Sequence, residues 1–284
     1  MKIINPIKNI LIFTIIGLIV LVNPVEAKYG KNKVQYRGLD WSFIQTPHFD
    51  VYYYDGGESI AYFAADVAEK SYEQISYQLD WRLSKRISIL VYNSHNDFQQ
   101  TNVTLGYLQE GIGGFTELFK NRVVLPFEGS YEQFRHVLHH ELTHAIVNDL
   151  IFGGNVQSIV SGKMRVNIPL WLSEGYAEYS SLDWDSRADM IIRDAAINGS
   201  LPPIQYLNYY MAYKGGQSVV RYIGETFGVE RIGEIFHETR HFKDVPKAIE
   251  NTLHLDLKTL TEKWHFSVRK DYWPDIEGRS NLDD

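Results

Sequence analysis

Five consecutive residues, His140-Glu141-Leu142-Thr143-His144, carry the densest chemistry in the chain. On a helix, two imidazoles four residues apart lie on one face, so both can reach one metal ion about 2.0–2.1 Å from each nitrogen. Glu141 directly follows the first imidazole and can take the proton of a water on that ion. Two more histidines crowd the segment. His136, His140 and His144 recur every four residues, and His139 falls on another face. At 1.5 Å rise per residue, His136 and His144 would stand about 12 Å apart along the axis, too far to share an ion. Only the later pair has a carboxylate directly after its first histidine. Glu141 therefore selects His140 and His144, and leaves His136 and His139 as polar neighbours of the site.

A catalytic zinc usually has three protein ligands and one open position. The third is sought in Leu170-Trp171-Leu172-Ser173-Glu174-Gly175-Tyr176-Ala177-Glu178-Tyr179, which reads as a helix entered just after Pro169. Glu174 and Glu178 stand one turn apart on it, so one carboxylate can bind metal while the other orients a ligand imidazole. Trp171, Leu172, Tyr176 and Ala177 around them place both carboxylates in an apolar setting.

The elements that must position these groups follow from periodicity. Phe49–Tyr54 is aromatic and β-branched, as a strand requires, and Ile87–Tyr92 reads as a second strand. Between them, residues 58–79 repeat apolar positions at helical spacing. Gly113-Gly114 and Arg122–Leu125 predict a hairpin running up to Pro126. The histidine helix begins at Ser130, with Gln133 three residues on completing a capping box and Phe134, Val137, Leu138, Leu142, Ala145 and Ile146 as its apolar face. Further helices are predicted near 188–197, 213–227, 229–238 and 256–271. Strands first and helices later make an α+β layout.

Composition agrees with a globular catalytic domain and excludes several classes. Of 284 residues, 44% are hydrophobic and 22% charged, with no cysteine. Any metal must therefore be held by His, Asp or Glu, and disulfides or a cysteine nucleophile are ruled out. A net charge of −7 without a basic run provides no nucleic-acid footprint. Lys2 and Lys8 precede an apolar run from Ile10 to Val22. Asn23-Pro24 and then Val25-Glu26-Ala27 follow, the pattern of a signal peptide cleaved before Lys28. The run is short against the roughly 20 residues of a spanning helix. The expected product is exported, periplasmic or secreted, and touches the membrane only through an uncleaved N-terminal segment. The expected division is a signal peptide over 1–27, one catalytic domain over 28–273 and a polar tail over 274–284.

The two metal motifs resemble those of the gluzincin metallopeptidases, in which HExxH is followed by a W-L-x-E-G-x-A segment. The stretch from Pro47 to Trp273 is also similar to the peptidase-MA-like domain at the front of exported bacterial proteins that carry a TolB-like β-propeller. That likeness rests on Phe49–Tyr54, Ser94-His95-Asn96-Asp97-Phe98, Gly113–Thr116, Asn121–Pro126 and Arg135–Ala145. The resemblance implies a thermolysin-like fold, a Zn2+ cofactor held by His140, His144 and Glu174, Glu141 as general base, Glu178 behind a ligand, and a peptide or protein substrate. The 29 residues between His144 and Glu174 exceed the usual gluzincin interval. The excess falls around Phe152–Ile168, expected as a loop or hairpin over the cleft. Such relatives continue into a propeller, so a stand-alone or shortened peptidase domain is expected.

Gluzincin aminopeptidases also carry a Gly-x-Met-Glu-Asn segment on the strand edging the cleft, whose glutamate holds the substrate amine. Glu117, one place later in Gly113-Gly114-Phe115-Thr116-Glu117, is the corresponding substrate-binding candidate, against the plainer role of a solvent-facing hairpin residue. Gluzincins often stabilise the oxyanion with Tyr or His, which makes Tyr213 the candidate over Tyr209 and Tyr210. Two other readings stand beside the peptidase. One is a catalytically silent zinc-binding envelope scaffold or partner-binding module, and the other is a metal-dependent hydrolase with a non-peptide substrate.

Overall fold

The computed structural model describes residues 35–36, 38–104, 108, 112–153, 166–275 and 277. The expected signal segment 1–27, residues 154–165 of the expected cleft loop and most of the tail beyond Pro274 lie outside the described residues. Among the described residues no helix is long and apolar enough to cross a membrane.

Five strands form one mixed sheet in the order β1-β2-β3-β5-β4. Strands β1 (Trp41–Gln45) and β2 (Phe49–Tyr54) are antiparallel, with Gln45 opposite Asp50. Strand β3 (Ile87–Tyr92) runs parallel to both β2 and β5 (Arg122–Pro126). The short β4 (Phe115–Glu117) closes the far edge antiparallel to β5, with Thr116 opposite Val123. Alternation divides the side chains between two faces. Phe49, Val51, Ile87, Ile89, Val91, Val123 and Leu125 enter the main core, whereas Tyr54, Tyr92 and Val124 join a smaller cluster with Phe98.

Helices α1 (Glu58–Leu79) and α3 (Tyr131–Phe152) pack on the sheet and on each other, and a short α2 (His95–Phe98) lies between β3 and β4 in the chain. Ser130 caps α3, its Oγ accepting from Gln133 N–H at 3.2 Å, and Gly153 ends the helix at positive φ. This helix is buried all round at its centre, from Leu138 to Thr143. A helix enclosed on every side must pair its polar groups internally, and that is where the histidines lie.

The rest of the chain is helical: α4 (Leu170–Leu182), α5 (Ser186–Ile197), α6 (Tyr209–Phe227), α7 (Glu230–Phe242), α8 (Val245–Leu253) and α9 (Leu257–Tyr272). Helices α4 and α6 cross in close contact. A Cβ on Gly175 would overlap the Gly216 backbone, and one on Gly216 would overlap the Trp171 carbonyl. Only two glycines permit this backbone approach. The crossing sets Glu174 and Glu178 of α4 beside Tyr213, Lys214 and Gln217 of α6. A small sheet with a mostly helical remainder is the expected α+β class. Three elements go beyond the expectation: β1, the short α2, and α8, which Asp244 caps with Pro246 in its first turn.

Candidate metal centre

The structure brings His140, His144 and Glu174 together from α3 and α4. Nε2 of His140, Nε2 of His144 and Oε2 of Glu174 form a triangle with every side 3.2 Å. A tetrahedral ion with bonds of about 2.0–2.1 Å separates its donors by roughly 3.3 Å, so this triangle fits zinc. Among the described residues it is the one group of three or more His, Asp or Glu side chains spaced to hold a metal. The two imidazole nitrogens face each other, an arrangement that a shared cation between them explains better than a hydrogen bond.

Each ligand ring is held from behind. His144 Nδ1 lies 3.3 Å from Ser173 Oγ. His140 Nδ1 lies 3.1 Å from Glu178 Oε1, an ion-pair distance at which the ring is not aligned as a hydrogen-bond donor. Glu178 is itself gripped by Lys214, whose Nζ is 2.5 Å from Oε2. Placing protons on Nδ1 leaves each Nε2 lone pair directed at the centre, as a zinc ligand requires.

The electrostatics follow from burial and partners. Burial opposes charge on His140, but the Glu174 and Glu178 carboxylates outweigh it and raise the imidazole far above its ordinary value. Burial likewise opposes charge on Glu174, and the His140 and His144 rings overcome it, holding the carboxyl well below its usual range. For Glu178 the same opposition is overcome by His140 and Lys214, which bring it down to about 2. These groups favour a carboxylate-rich, cation-accepting pocket.

His136 and His139 stand beside the site without joining it. His139 is buried, with Nε2 2.9 Å from Ser180 Oγ, and burial followed by the neighbouring His136 and His140 lowers it to about 4. His136 Nδ1 contacts Ser181 Oγ at 3.1 Å, and its Nε2 is 3.7 Å from Glu178 Oε1.

Glu141 is buried, and its Oε2 lies 2.7 Å from the Thr116 hydroxyl, which is also 2.8 Å from the Glu141 carbonyl. Glu117 is engaged elsewhere. Its carboxylate accepts N–H bonds from Phe119 and Lys120 at 2.6 and 3.0 Å and pairs with Arg122 at 3.1 Å. Glu117, weighed as an amine-binding candidate against a plain hairpin role, ties its own hairpin together, and Thr116 is the residue of β4 that meets Glu141. A one-residue offset on a strand reverses the face, so the displaced position of Glu117 was itself the sequence signal.

Tyr213 stacks on His140, with ring centroids 6.2 Å apart and an interplanar angle of 13°. Burial first, then the Glu174 and Glu141 charges, push its phenol up to about 12. Tyr213 is 37% exposed, less than Tyr210 at 48% and Tyr209 at 87% on the same helix. Lys214, Ser173 and Thr116 are the site residues that sequence reasoning did not find. A cavity of about 1070 Å³ between α1 and α7, lined in part by Glu69, Trp81 and His237, contains none of these groups. Convergent donors identify the site better than volume does.

A family model described as Peptidase MA superfamily matches residues 67–270, well over half the chain and inclusive of every residue of the centre. The chain belongs to the Peptidase MA superfamily. The peptidase-MA domain thus spans from within α1 to near the end of α9, and the membership points to a metallopeptidase acting on peptide or protein substrates. No curated protein matches the chain.

Proposed function

We propose that this peptidase-MA domain is an exported zinc metallopeptidase of gluzincin type, with a thermolysin-like catalytic architecture. The observation that carries the reading is the 3.2 Å triangle of His140, His144 and Glu174 with the Glu141 carboxylate beside it. Those three residues would hold zinc, which when bound supplies Lewis acidity and lowers the pKa of a water towards 7.

The protein's own groups carry the remaining work. Glu141 accepts the proton of the attacking water and delivers it to the departing amine. Thr116 fixes the carboxylate of Glu141 through its hydroxyl. The Tyr213 phenol, held protonated at neutral pH, donates towards the oxygen that gains charge on the substrate carbonyl. Glu178 holds the His140 ring by its Nδ1 side. Export rests on the N-terminal pattern of residues 1–27, and the resemblance to the front domain of exported TolB-like β-propeller proteins is in keeping with a bacterial envelope setting.

Wild type and Glu141→Gln assayed on a broad peptide library test the reading. Zinc bound by both with cleavage only by wild type supports it, the rate falling by about 10²–10⁴ in the variant. Zinc bound by both with cleavage by neither makes the protein an envelope scaffold or partner-binding module instead.

A further inference from the structure

A buried lysine connects three helices directly behind the metal centre. Lys214 of α6 is 4% exposed, and its Nζ meets three oxygens: Glu178 Oε2 at 2.5 Å, Asp185 Oδ2 at 2.7 Å and Gln217 Oε1 at 3.1 Å. An ammonium has three donors, and all three are matched. The far end of the network is fixed as well. Asp185 Oδ1 caps α5 by accepting from Arg187 and Ala188 N–H at 2.9 and 3.0 Å. Gln217 Nε2 donates to the Asp183 carbonyl at 2.9 Å. Lys214 is therefore locked in place before it touches Glu178.

We propose that Lys214 is a positioning residue for the metal centre, setting zinc affinity through Glu178 and His140. This inference rests on the metal-site reading above. Glu178 is buried and has two oxygens with separate partners: Oε2 faces Lys214 and Oε1 faces the His140 ring. With the lysine in place, Oε1 has one orientation, and it presents to Nδ1. Without it, Glu178 Oε2 loses its buried partner, and the carboxylate turns towards another donor and releases the ring. Outer partners of ligand imidazoles typically change metal affinity by about 10–100-fold.

The test is a double-mutant cycle read as zinc affinity by chelator competition, on wild type, Lys214→Met, Glu178→Gln and the double variant. Lys214→Met and Glu178→Gln are each expected to weaken zinc about 10-fold. The double variant is expected to match Glu178→Gln within about twofold, because the lysine then has nothing left to act through. Folding is checked in each by circular dichroism. If Lys214→Met does not fold, Lys214→Gln, which keeps a donor without the charge, takes its place in the same cycle. Wild-type affinity in the lysine variant overturns the proposal, and so does a double variant weaker than Glu178→Gln by the full single-variant factor. Zinc binding without Glu141-dependent peptide cleavage overturns the peptidase reading alone and leaves this cycle intact.

Discussion

The helical wall of the centre and its sheet wall are built differently. On the helical side His140, His144 and Glu174 come from α3 and α4, backed by Ser173, by Glu178 and by a lysine with three oxygen partners. The α4–α6 crossing beneath them allows no side chain at Gly175 or Gly216. On the sheet side, Glu141 meets one hydroxyl from a three-residue edge strand, steadied at its turn by Glu117 and Arg122. The first wall is over-determined and would fix where a metal sits. The second meets the Glu141 carboxylate, among the described residues, through the hydroxyl of Thr116 on the edge strand of the sheet. On the proposed reading, the helical wall would hold the metal and the thinner sheet wall would face the substrate.

That contrast can be broken at graded cost. The largest effect is expected from Gly216→Ala, whose Cβ would press on the Trp171 carbonyl. A loss of about 3 kcal/mol in denaturant melts, with zinc affinity falling alongside, is the expected result. Neutral behaviour would mean the helices are not held that close.

His139 gives the helical wall a pH signature. Its pKa is held near 4 in the fold, against an ordinary 6.5. Between those values the unfolded chain binds more protons, so stability rises with pH across that window and levels above it. The stake is on the order of 3 kcal/mol. Melts from pH 4 to 7 should show a shallower slope for His139→Gln than for wild type.

The sheet wall should respond more gently, Thr116 in catalysis and Glu117 in stability. Thr116→Val removes the hydroxyl from Glu141 at constant shape, and about a tenfold fall in kcat is expected with little change in KM. Thr116→Ser should restore most of it. A Thr116→Val enzyme as fast as wild type would detach Thr116 from the base. Smallest is Glu117→Gln, expected to loosen the hairpin by about 1 kcal/mol and leave cleavage within twofold. Loss of action on free amino termini with blocked peptides unaffected would return Glu117 to the substrate.

The sequence was most legible where one period ran unbroken. Strands β2 and β3 and helix α1 have the bounds that alternation and helical spacing predict. The metal helix starts at Ser130 because a cap is a local event. Helix α8 went unread because it is short and opens on Val245-Pro246, and β1 because a largely exposed edge strand has no buried face to alternate against. In the site, His140, Glu141 and His144 are fixed by spacing on one helix. Lys214 had no such signal. Its role depends on where α6 crosses α4, which Gly175 and Gly216 decide from 41 positions apart.

Zinc titration of metal-free wild type and Glu174→Ala, by chelator competition, tests the central claim most directly. The account predicts one tightly bound zinc per wild-type chain and an affinity at least about 100-fold weaker in Glu174→Ala. A wild type that takes up no zinc, or a Glu174→Ala variant that binds it equally well, would contradict it.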